Sequence, residues 1–267
     1  MIDKGRKIKI MGIVNLTDDS YYAESRCRDL KSALDRIGTV VSEGADIIDI
    51  GACSTRPGSI PVGEDEEWAR LKPVIVEVRK EWPDVTLSID TYWSSVVRKV
   101  YDEIGDFIVN DISAGEDDPL MLDTVGRLGL AYVAMHKRGN SQNMQSMTDY
   151  EDVVAEVYEY FREFSVRAAE AGIRNWILDP GFGFAKTVDQ NWQILRGLSR
   201  FKEFERPVLA GVSRKSMIYR KFNITPEEAL PATQAVHMLA LLSGADLLRV
   251  HDVAEAARTV SIYKMVQ

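Results

Sequence analysis

Short apolar runs alternate with longer segments of helical periodicity eight times along the 267 residues of this chain. The runs are mostly continuous in Ile, Val and Leu, which is typical of parallel strands that are covered on both faces. Eight strand and helix units in a chain of this length predict an α/β fold, a single (β/α)8 TIM barrel, with residues 1–267 as one domain. The predicted strands are Ile8–Val14, Asp46–Ile50, Val85–Ile89, Phe107–Asn110, Leu130–His136, Trp176–Leu178, Pro207–Val212 and Leu247–Val250.

Three local patterns predict helices between these strands. Residues 30–41 carry one apolar stripe at spacings of three and four. Thr225, followed by Pro226 and then by Glu228 three residues after the cap, predicts a helix start at Thr225. The acidic run from Glu64 to Glu67 predicts another helix start, with its carboxylates in solvent near the positive end of the helix dipole.

Composition and charge exclude several classes of function. The formal net charge is −8, from 33 Lys and Arg against 41 Asp and Glu, which does not favour nonspecific binding of nucleic acid. No apolar stretch has the length of a membrane span and the first residues do not resemble a signal peptide, so we expect a cytoplasmic location and no membrane partner. Cys27 and Cys53 give neither a disulfide framework nor zinc spacing. The chain also lacks the HExxH, CxxC, Walker A and Rossmann glycine patterns.

A carboxylate, Asp179, follows directly on the predicted strand Trp176–Leu178 and opens the sequence Asp-Pro-Gly-Phe-Gly-Phe-Ala-Lys. A carboxylate at the end of a buried strand costs several kcal/mol or more unless something pairs with it. A helix cap or an ion pair would satisfy Asp179. Two Gly, two Phe and a Lys in one turn instead favour an acceptor for a ligand that carries N–H groups, with aromatic walls around it.

Polar residues interrupt the apolar pattern at the predicted C-terminal ends of the strands, which is the end of such barrels that carries the active site. Any one of these residues could be a cap or a loop hydrogen-bonder, but together they indicate an active site. In an acidic chain the positive charge for an anion must be concentrated locally, and the candidates are Arg56, Lys186, Arg214 with Lys215, and Arg249. The whole set is Asn15, Ser54-Thr55-Arg56, Asp90, Asn110-Asp111, His136, Asp179, Ser213-Arg214-Lys215, Arg249 and His251.

The set divides by chemistry into two halves. Asp90, Asn110 and Asp179 are compact groups that can read the N–H-rich edge of a flat heterocycle by paired hydrogen bonds. Lys215 can serve either half. His136 is expected to be a structural hydrogen-bonder, His237 to lie in the core or on the surface, and Cys53 to be inert. The other half suits an anion such as a diphosphate, with Asn15 as a candidate oxygen ligand for Mg²⁺; it consists of Asn15, Thr55, Arg56, Arg249 and His251.

From about Lys9 to Val260 the chain resembles the dihydropteroate synthase family, in nine ordered segments at the eight strand ends. The segments are Met11–Thr17 with Asp19-Ser20, Gly44–Gly51, Ser54–Gly58, Ser88–Thr91, Asn110–Ser113, Met135-His136, Asp179–Phe184, Ser213–Ser216 and Arg249–Val253.

The resemblance implies condensation of 6-hydroxymethyl-7,8-dihydropterin diphosphate with 4-aminobenzoate, with Mg²⁺ as cofactor and a homodimer as the assembly. It implies that diphosphate departs first, that a carbocation forms at the pterin methylene near Asp90, and that the arylamine then attacks. The implied catalytic residues are Asp90, Lys215, Arg249 and His251. The implied pterin site is Asp90, Asn110, Asp179 and Lys215, walled by Met135 and Phe184. The implied diphosphate and Mg²⁺ site is Asn15, Arg249 and His251, and the implied aminobenzoate site is Thr55, Arg56, Pro57, Ser216 and the loop at Tyr21.

The chain departs from the family pattern chiefly in the first loop. The usual Pro is replaced in Thr17–Tyr21, and the usual acid near position 23 is Ala23, so Glu24 is the nearest candidate to take over at Mg²⁺. Two alternatives remain open from the residues. A pterin-dependent methyltransferase would be expected to lack the Ser-Arg-Lys-Ser and Arg-Val-His-Asp segments that are present here. A non-catalytic pterin-binding paralogue would explain the changed first loop.

Overall fold

The computed structural model of the chain describes residues 7–16, 29–53, 62–139 and 142–266. Eight parallel strands form one sheet in the order β6-β5-β4-β3-β2-β1-β8-β7, with helices between them, which confirms the predicted (β/α)8 barrel. The strands are β1 Lys9–Asn15, β2 Ile47–Gly51, β3 Thr86–Asp90, β4 Ile108–Asp111, β5 Ala131–Met135, β6 Trp176–Asp179, β7 Leu209–Ala210 and β8 Leu247–Val250.

The helices cover the outer face of the sheet, and none in the described ranges is long and apolar enough to span a membrane. Short 3₁₀ helices lie at Met144–Ser146 and Leu198–Phe204. The α-helices of the described residues are α1 Leu30–Ser42, α2 Glu64–Glu81, α3 Ser94–Ile104, α4 Met121–Leu128, α5 Val153–Glu170, α6 Val188–Arg196, α7 Ser216–Phe222, α8 Leu230–Leu242 and α9 Val253–Met265.

The barrel closes between β6 and β7 through a single bridge, from Leu178 to Val208. We predicted a longer strand at Pro207–Val212, and β7 is only two residues long. Pro207 has no N–H to give to a ladder, and the N–H of Val208 donates to Asp246 Oδ2 at 2.8 Å instead. Residues 208–212 are therefore buried as predicted, whereas Pro207 is exposed and Val208 joins the sheet through the bridge to Leu178.

Strand register arranges the inside of the barrel in layers. Asn15, Gly51, Asp90 and Asn110 are neighbours in one row across β1 to β4. The row two residues below contains Asp49 beside Ser88. The bottom of the barrel is closed by apolar side chains, Met11, Ile47, Ile108, Val133, Leu209 and Leu247. Polar groups inside the barrel are thus concentrated at the C-terminal ends of the strands.

Two predicted helix starts need correction. Thr225 and Glu228 exchange the expected capping hydrogen bonds, at 2.9 and 3.3 Å, but they close a turn, and the helix α8 begins at Leu230. The acidic run does begin α2, yet Glu67 is fully buried rather than in solvent. The fourth residue of the run lies one turn before Leu71, which is also buried, so Glu67 is on the inward face of the helix.

Candidate active site

A buried carboxylate, Asp49, lies at the centre of the polar layer. Its Oδ2 accepts a hydrogen bond from Arg249 Nε at 2.7 Å and lies 2.6 Å from Arg249 Nη2 in an ion pair, and its Oδ1 accepts a hydrogen bond from Ser88 Oγ at 2.6 Å. Asn110 Nδ2 contacts both oxygens, at 3.2 and 3.1 Å. Arg249 Nη2 also donates to Asp90 Oδ2 at 2.7 Å. One guanidinium therefore joins carboxylates from two strands.

Burial and crowded carboxylates set the electrostatics of this layer. Burial raises the pKa of Asp90 to about 7, since the opposing attraction of Arg249 is countered by the charges of Asp49, Asp111 and Asp179. Burial also opposes the charge on Arg249, but its two carboxylate partners outweigh burial and raise the pKa of the guanidinium. The protonation state of Asp90 is therefore sensitive, near neutral pH, to a charge that forms beside it.

Asp179 ends β6 at the opening of a tight turn, as the sequence predicted. Its Oδ1 accepts a hydrogen bond from Gly181 N at 2.8 Å, and burial raises the pKa of the carboxyl although Lys215 opposes this. Gly181 and Gly183 have φ angles of +71° and +82°, a region that favours glycine. A Cβ on Gly181 would also lie 1.9 Å from His136 O. The turn thus depends on its glycines, and Asp179 Oδ2 makes no protein hydrogen bond in the part of the chain that the structure describes.

Lys186 fastens the far side of the same turn. Its Nζ donates to Gly181 O at 3.0 Å and to Phe184 O at 3.1 Å, and it lies 2.9 Å from His136 Nδ1. Burial lowers the pKa of Lys186 to about 7. The sequence made Lys186 a candidate for anion binding, but its ammonium protons are used within the turn.

Lys215 approaches the turn from β7. Its Nζ donates to Phe182 O and lies 4.8 Å from the centre of the Phe184 ring. A Cβ built on Gly211 would lie 3.8 Å from Lys215 Nζ and 3.9 Å from Asp179 Oδ2, so both groups border one space. Burial lowers the pKa of Lys215 to about 8, with partial compensation by Asp179. The ammonium, the carboxylate and the ring together form one half of the predicted pocket.

Arg214 is not available for an anion. Its Nε and Nη2 donate to the two oxygens of Asp252, at 2.9 and 2.8 Å. Its Nη1 donates to the carbonyls of Pro226 and Glu227, both at 2.7 Å. The prediction that Arg214 contributes positive charge to a ligand site is wrong, because the guanidinium fastens the segment before α8 to the start of α9.

His251 lies after β8, beside Ser213. Its Nδ1 is 3.1 Å from Ser213 Oγ, and its carbonyl accepts a hydrogen bond from Arg36 Nη2 at 2.6 Å. Burial, with a further contribution from the charge of Arg249, lowers the pKa of His251 to about 3. His251 is therefore a neutral hydrogen-bonding group at physiological pH.

The remaining predicted residues within the described ranges lie around this centre. A Cβ on Gly51 would be 3.7 Å from Asn15 Oδ1 and 3.3 Å from Asp90 Cβ. Because glycine has no side chain, space is left at position 51 between Asn15 and Asp90. Met135 is buried at the end of β5. Ser216 is the first residue of α7, directly after Lys215.

The comparisons with known proteins agree with this geometry. The family model for pterin binding enzymes matches residues 11–251. Dihydropteroate synthase of Escherichia coli K12 is 38% identical over 255 residues, which cover 95% of this chain and 89% of that protein. The chain belongs to the dihydropteroate synthase family.

Solved structures of this family support the same assignment. The Yersinia pestis dihydropteroate synthase with a sulfonamide drug complex has a TM-score of 0.92 and 35% identity, covering 99% of this chain and 95% of that one. The Xanthomonas albilineans dihydropteroate synthase with 4-aminobenzoic acid has a TM-score of 0.89 and 38% identity, covering 98% and 93%. Relatives with this name do not favour the alternative of a pterin-dependent methyltransferase.

Five residues that the sequence assigned to the dihydropteroate synthase site lie outside the described residues. They are Tyr21, Glu24, Thr55, Arg56 and Pro57. Their predicted roles in holding aminobenzoate and, for Glu24, Mg²⁺, stay predictions.

Sequence reasoning missed Asp49 as a member of the dihydropteroate synthase site. Asp49 was noted only as part of a segment that matches the family. It lies inside the run Ile47–Gly51 and not at the end of a predicted strand, where site residues were sought. The available signal was the carboxylate itself, since an ionised group inside a strand buried on both faces requires several donors. Ser88, its partner in the next strand, carries no signal of its own.

Proposed function

We propose that this chain, a transferase of the dihydropteroate synthase family, condenses 6-hydroxymethyl-7,8-dihydropterin diphosphate with 4-aminobenzoate by departure of diphosphate before attack of the arylamine. The observation that carries the proposal is a set of polar groups with hydrogen-bonding capacity left over, around one apolar-walled space at the strand ends. Asp179 Oδ2 and Asn110 Oδ1 are acceptors, Lys215 is a donor, and Phe184 and Met135 are walls.

In this proposal the pterin is held by its polar edge. Its N–H groups donate to Asp179 Oδ2 and Asn110 Oδ1, and Lys215 Nζ donates to a ring acceptor. Ligands that lack a matching group would leave one of these buried atoms unpaired, which costs about 1–3 kcal/mol for each. The pocket is therefore selective for an N–H-rich bicyclic ring over other flat aromatic compounds.

The proposed chemistry needs no covalent enzyme intermediate. The bond between the pterin methylene carbon and the diphosphate oxygen breaks, and its electron pair leaves with the diphosphate. The Asp90 carboxylate stabilises the cation that remains on the pterin. The arylamine nitrogen then forms the new carbon–nitrogen bond and loses its proton to water. In this proposal the diphosphate accepts hydrogen bonds from His251 and from Arg249 Nη1, which has no partner among the described residues.

Mg²⁺ belongs to the proposal as the partner of the diphosphate. Within the described ranges no three His, Cys, Asp or Glu side chains are grouped to hold a metal ion. Asn15 Oδ1 faces the space above Gly51 and is an oxygen ligand of the kind Mg²⁺ accepts together with phosphate oxygens, so the residues fit a shared site. When bound, the ion would neutralise charge on the leaving group.

An assay of diphosphate release tests the proposal. Release from the dihydropterin diphosphate is expected to depend on the chain and to yield dihydropteroate when 4-aminobenzoate is present. Lys215→Met, which keeps the length of the stem, should reduce the rate by at least tenfold. Arg206→Met at the opposite end of the barrel is the control and should not. Tight pterin binding without release would instead indicate the non-catalytic paralogue.

The proposal also includes a homodimer. Large exposed apolar side chains lie on two helices in contact, Leu239 and Leu242 on α8 and Ile262 and Met265 on α9, each at least 48% exposed. Light scattering should find a dimer that Leu239→Lys weakens. Val166→Lys, at an equally exposed position on α5, is the matched control. A cytoplasmic location stays a prediction from the sequence.

A further inference from the structure

Asp49 is enclosed by donors and has no capacity left for a ligand. It is fully buried, its two oxygens accept hydrogen bonds from Ser88 Oγ, Asn110 Nδ2 and Arg249 Nε, and Arg249 Nη2 lies against Oδ2 in an ion pair. A carboxylate offers about four acceptor positions. Asp49 therefore acts on the pocket through Asn110 and Arg249, not by direct contact with a substrate.

The carboxylate determines which way the Asn110 amide faces. An amide has a donor side and an acceptor side of nearly equal size, so packing alone distinguishes them poorly. Asp49, as a carboxylate, can only accept, and the Nδ2 side of Asn110 is the side it holds, at 3.1 and 3.2 Å. Asn110 Oδ1 is then directed away from Asp49 and is left for the ligand.

We infer that Asp49 is a specificity-determining positioning residue, which orients the Asn110 amide so that the pocket offers an acceptor to the pterin edge. This inference rests on the proposed function. Asp49 also holds Arg249 by the hydrogen bond from Nε and the ion pair with Nη2, and thereby places Nη2 against Asp90, 2.7 Å away. One carboxylate below the site thus orders the donor and acceptor pattern of two residues above it.

The substitution Asp49→Asn tests the inference with almost no change of shape. The oxygen of the introduced amide is expected to stay with Arg249 Nε, so the new NH₂ group takes the place of Oδ1, which lies 3.2 Å from Asn110 Nδ2. Two donors then face each other, although Asn110 Nδ2 still reaches the oxygen at the Oδ2 position. This repulsion favours the orientation in which Asn110 turns its oxygen towards position 49 and presents its NH₂ to the ligand. We expect the affinity for a dihydropterin analogue, measured by titration calorimetry, to fall by at least tenfold.

Two further variants separate orientation from loss of a contact. Ser88→Ala removes one hydrogen bond from Asp49 without changing charge or the Asn110 contact, and its affinity should stay within threefold of wild type. The double variant Asp49→Asn with Asn110→Asp restores an acceptor facing the ligand and the net charge of the layer, and should recover most of the lost affinity. Equal losses in Ser88→Ala and Asp49→Asn, or no loss in Asp49→Asn, would overturn the inference.

Side-chain amide NMR on the wild type keeps the test independent of how the variants fold. The Asn110 NH₂ protons face a buried carboxylate and are expected to exchange slowly with solvent, and fast exchange would contradict the inference. Wild-type diphosphate release distinguishes the two proposals. An active wild type with an unimpaired Asp49→Asn variant counts against the positioning role alone, whereas a wild type that binds no pterin counts against the proposed function.

Discussion

Replacing Asp179 by Asn separates the ligand-binding and structural parts of one carboxyl group. Its Oδ1 accepts Gly181 N at 2.8 Å, and the oxygen of Asn can keep that bond. The NH₂ group then takes the place of Oδ2 and faces the N–H groups of the pterin. Leaving buried donors unpaired costs about 1–3 kcal/mol each, so we expect a loss of roughly 2–4 kcal/mol, or about 30- to 700-fold in affinity.

The stability of this variant should change in a different way. Burial raises the pKa of Asp179 above its unfolded value, so stability is present below the unfolded pKa and is lost as the pH rises through the folded one. Asn carries no such cost, and we expect its free energy of unfolding at neutral pH to fall by no more than about 1 kcal/mol. Asp179→Ala leaves Gly181 N without its acceptor and should lose about 1–3 kcal/mol.

Titration calorimetry with a pterin analogue and urea denaturation measure the two effects separately. Asp246→Asn is the matched control, because Asp246 also accepts a backbone N–H, that of Val208 at 2.8 Å, but at the other end of the barrel. It pairs with Lys202 as well, so it should lose stability and keep its affinity. Wild-type affinity in Asp179→Asn would refute the reasoning, and so would equal loss of affinity in the control.

Buried charges elsewhere in the barrel give three more expected results. Burial raises the pKa of Glu67 from 4.5 to about 7, so the folded state loses stability as the pH rises through that range. In urea denaturation, Glu67→Gln should therefore raise the free energy of unfolding by up to about 3 kcal/mol at pH 8 and change it little at pH 4. Lys215 has a pKa of about 8, so kcat/KM should fall above that pH, and Lys215→Arg should remove this fall. If kcat/KM of the variant falls over the same pH range, the titration belongs to another group. Arg249→Met leaves Asp49 and Asp90 without their cation and should cost roughly 3–5 kcal/mol at pH 8, less at pH 5, where a loss of equal size would contradict the pairing.

Local pattern was sufficient for the fold and for the outline of the site. Parallel strands that are covered on both faces must be apolar throughout, so polar residues at their ends stand out in the sequence. Asp90, Asn110 and Asp179 were found in this way, and they lie at the mouth of the barrel. The glycines after Asp179 were also informative, because only glycine adopts the φ angles of that turn readily.

Partner choice was decided by the tertiary structure alone. Asp49 meets Asn110 across 61 residues of sequence and Arg249 across 200, and strand order and register bring them together. In the folded barrel Arg214 pairs with Asp252, whereas Arg249 lies in the site. Composition and spacing do not distinguish these two arginines. The sequence therefore determines which polar groups at the barrel mouth need partners. The tertiary structure decides which groups become partners, because hydrogen bonds and ion pairs act over only a few ångströms.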